Sequence, residues 1–322
     1  MKKLHVQRYS ASNKQTWDTF VSDVEAHSIL FYRDFMEYHS DRFQDYSLLV
    51  FQEKKLIAIF PANIDGEGIV HSHQGLSYGG LLFKPFTSLA LRLEAYIFTL
   101  KFLEEKHVSD LFVKEIPQCY SNDSSNRLIF QWLNGTCIRT DIYSYLPKAF
   151  YQKPNRNRLR YLEKVRGLNI VVKPMESYSE FWEHVLIPNL KQRFEVNPVH
   201  TVDEIEGLAN QFNKQIRLYG AYQGDSIRAG VVLFIHRDVV HAQYSAGDEG
   251  RSDGSLDYLI DYVIKKYNSA KIFSFGTSSE NQGKQVNGGL LYWKESFRSV
   301  HDVQHFFHIK TANHTALINR LR

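Results

Sequence analysis

The chain sets out the same succession of elements twice, and that repetition constrains its fold more than any other feature. Trp17 and Trp182 lie 165 residues apart, each in a helical stretch with apolar residues three or four apart. After Trp17 come a second helical run, two β-rich runs around the polar turn Gln52 to Lys55, the runs GIVHSH and LSYGGLLF, a long helix and the strand DLFVKEI. After Trp182 come the helical run TVDEIEGLANQF, a hairpin turning at Gln223, Gly224 and Asp225, the strand VVHAQYSAG, the helix SLDYLIDYVIKKY and the strand KIFSFGT. The Ser-Leu pairs that open the two long helices, at Ser88 and Ser255, are 167 residues apart. This order predicts an α/β (α+β mixed-sheet) fold in two tandem domains related by duplication. Pro147 and Pro154 interrupt the apolar rhythm, which places an N-terminal domain at 1–150, a basic connecting segment at 151–167 and a C-terminal domain at 168–322. Within the connecting segment a helix is expected from about Asn155 to Arg166, with Gly167 closing it.

Composition limits the alternatives. The chain has 322 residues, 43% of them hydrophobic, enough for a large buried core. A formal net charge of +4 favours an anionic ligand without naming nucleic acid or membrane. No apolar run follows the charged N-terminus and none reaches the roughly 18 residues that span a bilayer, so a cytoplasmic protein is expected. Cys119 and Cys137 have no CxxC spacing and read as reduced structural thiols. GTSSE lacks the GxSxG pattern of a nucleophile elbow, so hydrolase chemistry has no support.

The residues with chemical promise gather in the second half. Arg251, Gly254 and Ser255 stand at the start of a predicted helix, where free backbone N–H groups and the helix dipole suit a phosphate. The same N–H groups are equally well capped by Asp253 or Ser255. The closing segment VNGGLLYWKESF places Asn287, Tyr292 and Lys294 on one short helix. Tyr292 and Lys294 are two apart and so point about 200° apart, which keeps them from sharing one site. His200 is either a general base or a loop histidine. His71 and His73 alternate on a predicted strand, and His73 and Tyr78 read as lining a cleft or packing. His241, Gln243 and Ser245 share one face of another strand and Tyr244 takes the other. No set of metal ligands is completed. The segment Lys153, Arg156, Arg158, Arg160, Lys164 and Arg166 carries one acid, Glu163, and is either a phosphate-binding helix or a solvated one.

In element order and in the Arg251-x-x-Gly254 turn the second half resembles the GNAT acyltransferase superfamily, with Leu256 where Gly or Ala is usual and Ser296 in place of a glycine. The paired halves, the basic segment between them and Trp293, Lys294 and Phe297 resemble the Fem aminoacyl transferases and their relatives associated with bacterial surface polysaccharides. The resemblance implies an acyltransferase that moves an acetyl group from acetyl-CoA to an amino sugar or a nucleotide- or lipid-linked sugar precursor. Its alternatives are transfer from aminoacyl-tRNA to a peptidoglycan-type acceptor and a non-catalytic precursor-binding protein. By the same resemblance, Arg251, Gly254, Ser255 and Asn287 would hold the cofactor, Tyr292 would protonate the leaving thiolate and Lys294 would stabilise developing negative charge. His73, Tyr78, Gln243 and Tyr244 are the expected acceptor contacts, and no metal is expected.

Overall fold

The computed structural model describes residues 3–121, 123, 125–148, 153–248 and 253–321. They form two compact units. The first comprises residues 1–142, 279–285 and 302–322, the second residues 143–278 and 286–301. The chain therefore builds most of the first unit, passes to the second, touches the first again at 279–285, and returns to it finally at 302. A single cut near residue 150 does not describe this path.

The first unit opens with β1 (Leu4–Arg8), the helices α1 (Lys14–Asp23) and α2 (Arg33–Glu37), and β2 (Gln44–Asp45). It continues through β3 (Leu48–Gln52), β4 (Lys55–Phe60), β5 (Asn63–Ile64), β6 (Val70–His71) and β7 (Leu82–Phe83). Helix α3 (Leu89–Glu105), β8 (Asp110–Lys114) and α4 (Ser125–Trp132) follow. Strands β1, β3, β4 and β7 make an antiparallel sheet in that order. The expected hairpin is there, and its turn lies between Gln52 and Lys55. The expected strand through His71 and His73 is not. Strand β6 stops at His71, and His73 has a φ of 66°, which ends the alternation and removes the shared face.

Strand β9 (Thr136–Pro147) leads into the second unit. There follow α5 (Arg156–Arg166), β10 (Ile170–Met175), α6 (Tyr178–Phe181), a π-helical turn at Trp182–Leu186, α7 (Ile187–Phe194) and α8 (Val202–Gln211). Next are β11 (Ile216–Gln223), β12 (Ser226–Ile235), β13 (Val239–Gly247), α9 (Ser255–Lys266) and β14 (Ile272–Thr277). A short ribbon, β15 (Ser279–Glu280) with β16 (Gln285–Val286), precedes α10 (Gly288–Glu295), β17 (Val300–Lys310) and α11 (His314–Ile318). The sheet of the second unit runs β10-β11-β12-β13-β14-β9, antiparallel except for β13 with β14.

Local chemistry explains the elements. Thr201 and Glu204 close a capping box on α8, each side chain accepting from the other's backbone N–H. Asn155 caps α5 through the N–H of Arg158 at 2.9 Å. Leu259, Ile260, Val263 and Ile264 on α9 are buried against the sheet. Trp17 and Trp182, the matched tryptophans, are both buried, and each donates its indole N–H to a backbone carbonyl, of Phe31 at 2.7 Å and of His200 at 3.0 Å.

One glycine in the sheet is dictated by packing. A Cβ on Gly230 would lie 2.1 Å from Cδ2 of the fully buried Phe181. Gly230→Ala is therefore expected to destabilise the second unit by about 1–3 kcal/mol. Chemical denaturation checks this, and an unchanged midpoint would show that Phe181 can move aside.

Candidate active site

In the second unit, β13 runs on beyond its parallel pairing with β14. Strand β13 pairs with β14 only from Val239 to His241, opposite Ile272 to Ser274, yet it continues to Gly247. Gly276, at a φ of 70°, turns β14 away, and a Cβ there would lie 3.1 Å from His241 Cε1. His241 Nδ1 lies 3.0 Å from Ser274 Oγ, whose hydroxyl donates to the Tyr143 hydroxyl at 3.0 Å. Burial, reinforced by the nearby Lys294, pushes His241 down to about 4, so its ring is neutral at pH 7.

A cavity of about 650 Å³ lies against the continuing stretch of β13. Ser245, Ala246 and Gly247 form one side, the start of α9 a second, and Arg158 of α5 with Tyr292 and Trp293 of α10 a third. Three arginines and three aspartates line it, and most are already paired. Arg228 donates to Asp248 at 2.9 Å and to Asp253 at 2.8 Å. Arg158 pairs with Asp257 and donates from Nε to Ser296 Oγ at 2.9 Å. Asp257 also accepts the Trp293 indole N–H at 2.7 Å, so one carboxylate joins α5, α9 and α10.

The start of α9 is already partly capped. Asp253 Oδ1 already accepts the Ser255 N–H at 2.8 Å, and Asp257 adds a carboxylate in the first turn. Burial pushes the Asp253 carboxyl up, but hydrogen bonds from Arg228 and Ser255 outweigh it and hold the pKa below its ordinary value. Asp248, Asp253 and Asp257 line this end of the cavity, each paired with Arg228 or Arg158. Of the residues expected there, Gly254 and Ser255 do line the cavity, while Arg251 lies outside the described residues.

The other expected residues are dispersed. Tyr292 lines the cavity, is 53% exposed, and its hydroxyl accepts from Asn157 Nδ2 at 3.2 Å. Lys294, only 2% exposed, points the other way and donates to the carbonyls of Gly276 and Thr277 at 2.9 and 2.5 Å. Asn287 caps α10, accepting the Leu290 N–H at 2.8 Å. His200 is buried, with Nδ1 2.6 Å from the Tyr244 hydroxyl, and both rings pack beside other aromatic residues. Gln243 sits at a bulge, since Val232 pairs with Tyr244 and Leu233 with Ala242; the expected alternation through His241, Gln243 and Ser245 is broken there. In the first unit, His73 is buried and stacked on His39, and Tyr78 is buried with its hydroxyl donating to Ser28 at 3.0 Å. Neither belongs to the cavity of the second unit. Among the described residues no group of three or more His, Cys, Asp or Glu is placed to hold a metal.

Sequence reasoning missed Arg228, Asp248, Asp257 and Asn157. Asn157 and Arg158 stood inside the basic segment that it singled out, but only packing shows that Arg158 is buried and paired.

No protein-family profile matches the chain, and neither does any curated protein. Solved structures do. FemX is 10% identical over 98% of this chain and 99% of its own, with a TM-score of 0.67. The C-terminal domain of a putative lysylphosphatidylglycerol synthetase from Agrobacterium fabrum is 8% identical over 97% and 95%, with a TM-score of 0.62. The fold is GNAT-like. A tandem GNAT protein from the clavulanic acid biosynthesis pathway agrees with it, 11% identical over 96% and 99% with a TM-score of 0.53.

Burial pushes Lys294 down to about 7 from an ordinary value near 10.5. Between these values the unfolded chain binds the extra proton, so this residue makes stability rise with pH from about 7 to 10. The parent should gain thermal stability relative to Lys294→Met across that window. Parallel melting curves for the two proteins would refute the burial effect.

Proposed function

We propose that this protein is an acyltransferase that passes an acyl group from a thioester or ester to an amino group of a small acceptor, such as an amino sugar in a cell-surface precursor. The observation that carries the reading is the cavity beside β13 beyond its last pair with β14. A strand edge in that position offers backbone N–H and C=O groups to an extended, amide-bearing ligand, as an added strand would use them. The GNAT-like fold shared with FemX and the tandem GNAT protein supports the same reading. We also take the two units as products of a duplication, which the matched tryptophans favour.

In this mechanism the acceptor amine attacks the acyl carbonyl, the C–S or C–O bond breaks, and the amine gives up a proton. Tyr292 supplies the hydroxyl proton to the departing sulfur or oxygen and recovers one from the amine through solvent. Asn157 positions it, because a phenol oxygen that accepts from an amide keeps its own proton for the substrate. Lys294 acts at one remove, fixing α10 to the end of β14.

Of the donors that the family resemblance implies, the aminoacyl ester of a tRNA gains from one feature. Asp253 already takes an N–H at the start of α9, where a GNAT turn would hold phosphate, and the carboxylates of the cavity offer acceptors to an α-ammonium group. Acetyl-CoA requires its phosphates to lie elsewhere.

The test is transfer by purified protein from acetyl-CoA and from aminoacyl esters to a panel of amino sugars, read by mass spectrometry. Tyr292→Phe is expected to lower kcat by about 100-fold with an unchanged melting curve. Full activity in that variant would remove Tyr292 from the mechanism; no transfer from any donor would remove the acyltransferase.

A further inference from the structure

A second cavity, of about 410 Å³, lies between α5 and α10. Its α5 side is Asn157, Arg160, Tyr161 and Lys164, spaced to share one face of the helix, and its α10 side is Tyr292 and Ser296. Arg158, Tyr161 and Tyr292 line both this groove and the first cavity. The charges differ sharply. The first cavity balances three arginines with three aspartates, whereas the groove has Arg158, Arg160 and Lys164 and no acid. Arg160 and Lys164 are exposed and make no ion pair among the described residues. The nearby acids are turned to other tasks: Asp257 is bound to Arg158, Glu295 lies 3.0 Å from His301, and Glu163 lines a different cavity.

We propose that this groove holds the phosphate or pyrophosphate of a nucleotide-bearing substrate whose reacting end lies in the adjoining cavity. The anionic part thereby lies on the face of α5 and not at the start of α9, where Asp253 already takes the Ser255 N–H. The two exposed basic groups can share a pyrophosphate, Arg160 through paired N–H donors and Lys164 as a point charge. Tyr161, 47% exposed, supplies a ring face for the base or sugar beside it. Tyr292, in the wall common to both spaces, would then touch the substrate near its reacting bond.

The inference rests on the acyltransferase reading only for what happens at the reacting end, so its test measures binding without turnover. Calorimetry with inorganic pyrophosphate should show binding that weakens with added salt. The double variant Arg160→Ala, Lys164→Ala should weaken it about tenfold or more, with an unchanged melting curve. Arg156→Ala, on the same helix but outside the groove, should stay within about twofold. Competition then separates the sources: displacement by coenzyme A assigns the groove to the donor, and displacement by uridine diphosphate assigns it to a nucleotide-linked acceptor. No pyrophosphate binding at millimolar concentration, displacement by neither nucleotide, or equal losses from Arg156→Ala and the double variant would overturn the proposal. Loss of transfer with binding intact would instead count against the chemistry.

Discussion

The last shared position of β13 and β14, His241 opposite Ser274, governs the architecture of the second unit. Parallel strands that stay paired leave no room between them. Here Gly276 adopts a left-handed φ beside the His241 ring and ends the pairing after three residues. Beyond that point Ser245, Ala246 and Gly247 of β13 line the cavity, and Lys294 ties α10 to Gly276 and Thr277. A charged imidazole at this apex would be expensive, and burial keeps His241 neutral.

Around the opening, charge is handled in two ways. Arg158 and Arg228 are buried and committed to aspartates, so they act as braces between elements and project little field. Arg160 and Lys164 have no such commitment, and their field reaches solvent. Counting basic residues in this region therefore overstates what a ligand would feel at one place and understates it at another.

Much of the fold was legible because it rests on local rules. The stripe of Leu259, Ile260, Val263 and Ile264, the turn at Gly224 and the basic helix ending at Arg166 follow from spacing and backbone preference alone. The opposed directions of Tyr292 and Lys294 followed from helical geometry in the same way. The failures came where alternation is broken by the backbone, at the positive φ of His73 and the bulge at Gln243. Long-range pairing was equally out of reach. Nothing local distinguishes Arg158, buried against Asp257 across 99 residues, from Arg160, exposed two positions later. The turn at Gly254 shows a third limit, since an anion site and a carboxylate cap draw on the same residue types.

The return of the chain to the first unit has a consequence for how the protein is made. Phe307, Ile309 and Leu317 belong to the same core as Leu48, Val50 and Leu100, although more than 200 residues separate the two groups. A ribosome delivers β17 and α11 after the second unit, so the core of the first unit stays open on one side until then. The second unit needs nothing beyond His301 and can close earlier. The unit begun first is thus the one whose residues are completed last.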